Sequence, residues 1–133
     1  MTRAMPRARF LGQLGGADLG AVVASLDLFV HPGPDETFCQ AVQESLAAGV
    51  PAVVAASGGP LDLVRHRENG WLWAGETRTC WPPSSPGCGI DPAALAAAAV
   101  RARPSVESRT WGRVGDALIE HLRRVRAPAA LPR

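Results

Sequence analysis

Two carboxylates and a helix start carry the chemistry that this sequence can be read for. Glu36 stands just before the segment Thr37-Phe38-Cys39-Gln40, and Glu44 follows seven residues after Thr37. Thr37 and Gln40 have the S/T-x-x-E/Q spacing of a capping box, in which Thr37 accepts from the Gln40 amide and Gln40 reaches back. The spacing therefore predicts a helix from Thr37 to about Ala48, with Phe38, Cys39 and Gln40 in its first turn. The amides that open a helix attract phosphate. Glu44 lies about 10 Å along the axis at ~1.5 Å per residue, and helical side chains lean towards the N-terminus, so it points back to the same mouth. Carboxylates repel phosphate but accept hydrogen bonds from the hydroxyls of a ribose or a sugar. Together these residues suit a phosphate-plus-polyol ligand.

The elements that must position them read as a βαβ unit. Leu28, Phe29 and Val30 form an apolar run ended by Pro32, Gly33 and Pro34, which suits a buried strand that His31 closes. Gly49 supplies a left-handed residue after the helix, and Pro51 forbids its continuation. Ala52 to Ala55 is a second strand, parallel to the first through the crossover. Ligands of such sheets bind beyond the carboxyl ends of the strands. Here those ends are the Pro32–Phe38 loop and the Ser57–Pro60 loop, where Gly58 and Gly59 allow close backbone approach. His31 reads as a hydrogen-bonded structural residue rather than a base.

At these residues the chain resembles a known family. Glu36 and Glu44 resemble the E-x7-E motif of retaining GT-B glycosyltransferases of the family 4 type. The phrases "FLG", "DLFVHPGPDETFCQAVQESLAAGVPAVVA" and "GGPLDLV" are similar, more narrowly, to actinobacterial GDP-mannose-dependent α-mannosyltransferases. Most of the wider family has Gly where Cys39 stands and Glu where Asp62 stands; the mannosyltransferase subgroup resembles this chain at both. The likeness is close from Arg9 to Leu72 and looser in the last helix.

The resemblance implies an α/β fold, a partial Rossmann-like parallel sheet with flanking helices that forms the C-terminal donor-binding domain of a GT-B enzyme. It implies retaining transfer of mannose from GDP-mannose to a lipid or glycolipid acceptor, without a metal or other cofactor. Glu36 would act at the sugar and near the anomeric carbon. Thr37, Phe38, Cys39, Gln40, Glu44, Gly58 and Gly59 would hold the nucleotide sugar with it, Glu44 accepting from the ribose. It implies too that an N-terminal acceptor-binding domain and the strands bearing the diphosphate-neutralising Arg and Lys are missing. The chain would then be a fragment, inactive alone, or a nucleotide-binding remnant or subunit completed by another chain. Within it, residues 1–8 read as a disordered or truncated start, 9–126 as the partial domain and 127–133 as a tail.

The remaining chain supplies supports. Leu19, Val22, Val23 and Leu26 have helical spacing in Ala17–Leu26 and predict a helix covering the sheet. Leu61, Asp62 and Val64 predict a short helix, Glu68-Asn69-Gly70 a turn, and Trp71-Leu72-Trp73 a strand. Arg78–Gly89 reads as a loop. Asp91 caps a helix from Ile90 to Arg103 with Pro92 at its first position, Leu95, Ala99 and Val100 facing the sheet. Pro104 should stop it. A last helix, from Val106 to about Arg126, carries Trp111, Val114, Leu118, Leu122 and Val125 on one face.

Composition excludes other classes. The chain has 133 residues, a net charge of +2, no Lys and no Tyr; all its basic residues are Arg and are scattered until the last helix, against a nucleic-acid surface. Arg123, Arg124 and Arg126 suit a helix C-terminus, and peripheral contact with anionic lipid is the alternative. Cys39, Cys80 and Cys88 have no metal-ligand spacing, and with no signal peptide they read as thiols of a cytoplasmic protein, at the inner membrane face if it meets a membrane. No apolar run reaches the ~18 residues of a membrane span. Neither loop has the G-x-G-x-x-G of a dinucleotide reductase.

Overall fold

The computed structural model describes residues 7–73 and 89–126; the side chain of Arg126 is excepted. The expectations for most of 1–8, for most of the Arg78–Gly89 loop with Cys80 and Cys88, and for the tail lie outside the described residues.

Three short parallel strands, β1 (Phe29–His31), β2 (Ala52–Ala55) and β3 (Gly70–Trp73), form a sheet in the order β1-β2-β3. The register pairs Phe29 with Ala52 and His31 with Val54, then Ala52 with Gly70 and Ala55 with Trp73. The central strand is buried along its whole length, as an all-apolar strand with neighbours on both sides should be. Helix α1 (Gly16–Ala24) precedes β1, α2 (Gln40–Ala47) crosses from β1 to β2, and a 3-10 turn (Gly59–Asp62) leads towards β3. Helices α3 (Pro92–Val106) and α4 (Trp111–Arg126) follow.

The core lies where α2 and α3 meet the sheet. Cys39, Val42 and Leu46 of the α2 segment join Ala52, Val54, Leu63, Val64, Ala102 and Val106, with Phe29 and Leu72 against them. Val42 and Leu46, four residues apart, are both fully buried and set the inner face of α2. The helix ends as Gly49 and Pro51 predict: Gly49 adopts φ +83°, its amide donates to Leu46 O, and the Val50 amide donates to Ser45 O, a Schellman motif. Buried Ser45 adds a bond from its hydroxyl to Val50 O at 2.9 Å.

Several expectations are corrected. The Arg9–Gly12 run, for which the family likeness implies a strand, forms none; Phe10 and Leu11 are exposed, and no strand among the described residues lies beside them to complete a ladder. Helix α1 is shorter than Ala17–Leu26 and buries no residue fully, Val22 and Val23 being half-covered. Asp91 does cap α3, accepting from the Ala94 amide, but Pro104 does not stop it. Ala98, Ala102 and Val106 form the buried stripe, so packing on both sides of the proline carries the helix through it. Small alanines let α3 approach closely, and Val100, expected to face the sheet, is 77 % exposed on the other side. The last helix starts at Trp111 rather than Val106, since Val106 is committed to the core.

Candidate donor site at the sheet edge

The carboxyl ends of β1 and β2 bring the two predicted loops together. The Ser57 hydroxyl donates to Pro34 O at 2.8 Å, and the Gly59 amide donates to Glu36 O at 2.7 Å. This contact explains both glycines. A Cβ at Gly58, which holds φ +64°, would stand 2.5 Å from Glu36 O, and one at Gly59 would stand 2.3 Å from Thr37 O. Backbone occupies those places and cannot yield. The glycine pair therefore clamps the loop carrying Glu36, and the Gly59 amide is engaged by protein rather than left for a phosphate.

The helix start differs from the capping box. Helix α2 begins at Gln40, and Cys39 rather than Thr37 is its N-cap. Cys39 has φ +59° and ψ +63°, and no side chain caps the helix. Thr37 and Phe38 thus precede the helix, both exposed. The left-handed turn at Cys39 redirects the chain as it leaves the clamped loop. Glycine would take this positive φ without steric cost, whereas a cysteine holds it against its Cβ. The amides of Val42 and Gln43 both donate to Cys39 O. Those of Gln40 and Ala41, the first two residues of the helix, have no acceptor within it.

Glu44 turns back over this opening: its Oε1 accepts from Gln40 Nε2 at 3.3 Å, on the exposed face of the first turn. Glu36 lies half-buried below, its Oε1 3.3 Å from His31 Nε2. That pair is close in space but lacks hydrogen-bond alignment, and His31 Nε2 is a buried nitrogen with no hydrogen bond among the described residues. Cys39, behind them, is 4 % exposed. Burial pushes its thiol pKa up, the Val42 amide opposes this, and the Glu36 charge adds to the rise. With no cation beside it, the balance favours the protonated thiol.

Of the predicted residues, Glu36, Cys39, Gln40 and Glu44 gather around the start of α2. Thr37 and Phe38 lie on the approach to it, and Gly58 and Gly59 support it from behind. His31 was set aside in sequence terms yet is in direct contact with Glu36; strand position alone could not reveal this, because the Pro32–Asp35 loop folds back. Among the described residues, cavities of about 290, 480 and 280 Å³ lie at the amino edge of the sheet, around Arg65 and Asn69, around His66 and Trp71, and around Leu26 and Pro51. In parallel sheets ligands bind at the carboxyl edge. The residues of chemical interest are there, so we place the candidate site at that edge.

Comparison with known proteins shows the family and the fold. Residues 4–78 match the family model of glycosyl transferases group 1. Over 117 residues, 88 % of this chain, it is 45 % identical to a GDP-mannose-dependent alpha-mannosyltransferase of Mycolicibacterium smegmatis and 40 % identical to one of Corynebacterium glutamicum. These stretches make up 31 % and 28 % of those two proteins, so the chain spans about a third of their length. Among solved structures, Anabaena Alr3699/HepE in complex with UDP and glucose superposes with a TM-score of 0.67 at 26 % identity, covering 90 % of this chain and 33 % of that one. The fold is α/β, a partial parallel sheet of the GT-B type, and the chain belongs to the group 1 glycosyl transferases.

Proposed function

We propose that this chain is the donor-binding part of a retaining mannosyltransferase that moves mannose from GDP-mannose to a lipid or glycolipid acceptor. The observation that carries this reading is the 45 % identity to a protein of that donor over 88 % of the chain. The juxtaposition of Glu36 and Glu44 at one helix start supports it. In this reading the Gln40 and Ala41 amides meet the diphosphate and stabilise it as its charge grows on departure, an oxyanion-type effect. Glu36 accepts from the sugar hydroxyls and faces the positive charge that develops at the anomeric carbon. Glu44, steadied by Gln40, accepts from the ribose.

Transfer proceeds without a metal or cofactor, and no nucleophile is assigned. The acceptor site and the cations that neutralise the donor belong to a second lobe, supplied by a longer chain or a partner subunit, because orienting two substrates needs both walls of a cleft. The 133 residues alone are then inactive. The work is cytoplasmic, at the inner membrane face, with nucleic acid as no part of it. No helix among the described residues is long and apolar enough to cross a membrane.

Calorimetry with GDP and UDP tests the reading. A hydrogen bond to a charged group contributes about 1.5–3 kcal/mol, so Glu44→Ala should weaken GDP binding at least about tenfold. UDP should bind less tightly than GDP. Unchanged GDP affinity in that variant would overturn the ribose role, and a preference for UDP would overturn the donor.

A further inference from the structure

We infer that His31, Glu36 and Cys39 form a binding site for a borderline-soft divalent cation, of which Zn²⁺ is the type. Each residue offers one ligand atom, and the three atoms lie within 4.8 Å of one another. The His31 Nε2 to Glu36 Oε1 separation of 3.3 Å equals the edge of a tetrahedron whose N and O ligands stand about 2.0–2.1 Å from zinc. A second observation is independent of that distance. His31 Nε2 is buried yet makes no hydrogen bond among the described residues, and the close carboxylate is misaligned for one. A cation between the two would use both lone pairs at once.

The donor set selects the metal. One imidazole nitrogen, one thiolate and one carboxylate oxygen suit Zn²⁺, whereas Mg²⁺ and Ca²⁺ require oxygen ligands. On binding, the Cys39 S–H proton leaves to solvent and the thiolate bonds the metal; one thiolate and one carboxylate then balance the charge of two. Three protein ligands leave the fourth tetrahedral position to water. Glu36, 44 % exposed in its side chain, is the ligand able to swing and admit the ion. The cation takes no part in the transfer proposed above. It withdraws Glu36 from the donor sugar, a consequence that rests on that reading, while the site itself does not.

The test is a Co²⁺ titration of the reduced full chain, followed by the thiolate-to-cobalt charge-transfer absorption. We expect a band that saturates at one equivalent and is bleached by added Zn²⁺. Cys39→Ser should abolish it. His31→Gln, which alters a partly exposed residue and leaves the core intact, should lose at least about tenfold in cobalt affinity. The double variant Cys80→Ser/Cys88→Ser should keep the band, and circular dichroism of each variant reports folding. Absence of the band, its survival in folded Cys39→Ser, its loss in Cys80→Ser/Cys88→Ser, or unaltered affinity in His31→Gln would each overturn the assignment.

Discussion

Gly58 and Gly59 show how much of the site depends on atoms that are not there. Each lacks a Cβ where a neighbouring backbone oxygen stands within 2.5 Å. Gly59→Ala must displace the loop that bears Glu36, and we expect it to cost more than about 2 kcal/mol in urea unfolding. Donor affinity should fall with it. Gly20 is the control: it lies in α1 with nothing near its missing Cβ, so Gly20→Ala should be neutral or stabilise by up to about 1 kcal/mol. At this scale the sequence was legible in part. That the Gly-Gly loop borders Glu36 followed from strand order, but its clamping contact did not, since that depends on how two loops pack. The Thr37 cap failed for a related reason. A capping box needs Thr37 to sit at the helix boundary, and the left-handed turn at Cys39 moves that boundary along by two residues.

Elements are held by a few polar ties between them. Asn69 is 1 % exposed. Its Oδ1 accepts from the Arg65 amide, and its Nδ2 donates to Leu63 O and to Ser105 Oγ. The turn before β3 is thereby fastened to α3, next to the proline that should have ended that helix. Asn69→Ala would leave buried polar groups unsatisfied at about 1–3 kcal/mol each, so we expect a loss of at least about 3 kcal/mol, seen as a lower urea midpoint with the slope unchanged. Arg109 adds a tie from the link between α3 and α4, its Nη2 donating to Asp62 O at 2.6 Å. Element identity was readable from periodicity and punctuation for α2, β2, β3 and α3. The error at Pro104 has a general cause: a proline disfavours helix locally by roughly 3 kcal/mol, an amount that burial of Ala102 and Val106 on either side can offset.

In the molecule as a whole, the core is concentrated under α2 and α3 while α4 stands with its apolar face uncovered. Trp111 is 85 % exposed, and Val114, Leu118, Leu122 and Val125 are all more than half exposed. The contrast gives a prediction for the full molecule. Leu46→Ala should cost about 2–5 kcal/mol by opening a cavity in the core, whereas Leu118→Ala should change stability by less than about 0.5 kcal/mol, both read by thermal or urea unfolding. A large loss at Leu118 would mean that α4 packs somewhere other than where it stands here.

From its residues alone the chain announced a βαβ unit, the meeting of its two loops at the carboxyl ends of the strands, and the family to which it belongs. Those follow from short-range patterns: apolar runs, breakers and a dense local phrase around Glu36 and Glu44. Tertiary structure alone decided that His31, Glu36 and Cys39 converge, that the Gly59 amide is already engaged, that Val100 faces water, and that one helix passes through its proline. Each of these depends on contacts between segments distant in sequence or folded back on themselves, whose free energies exceed the local preferences from which a sequence can be read.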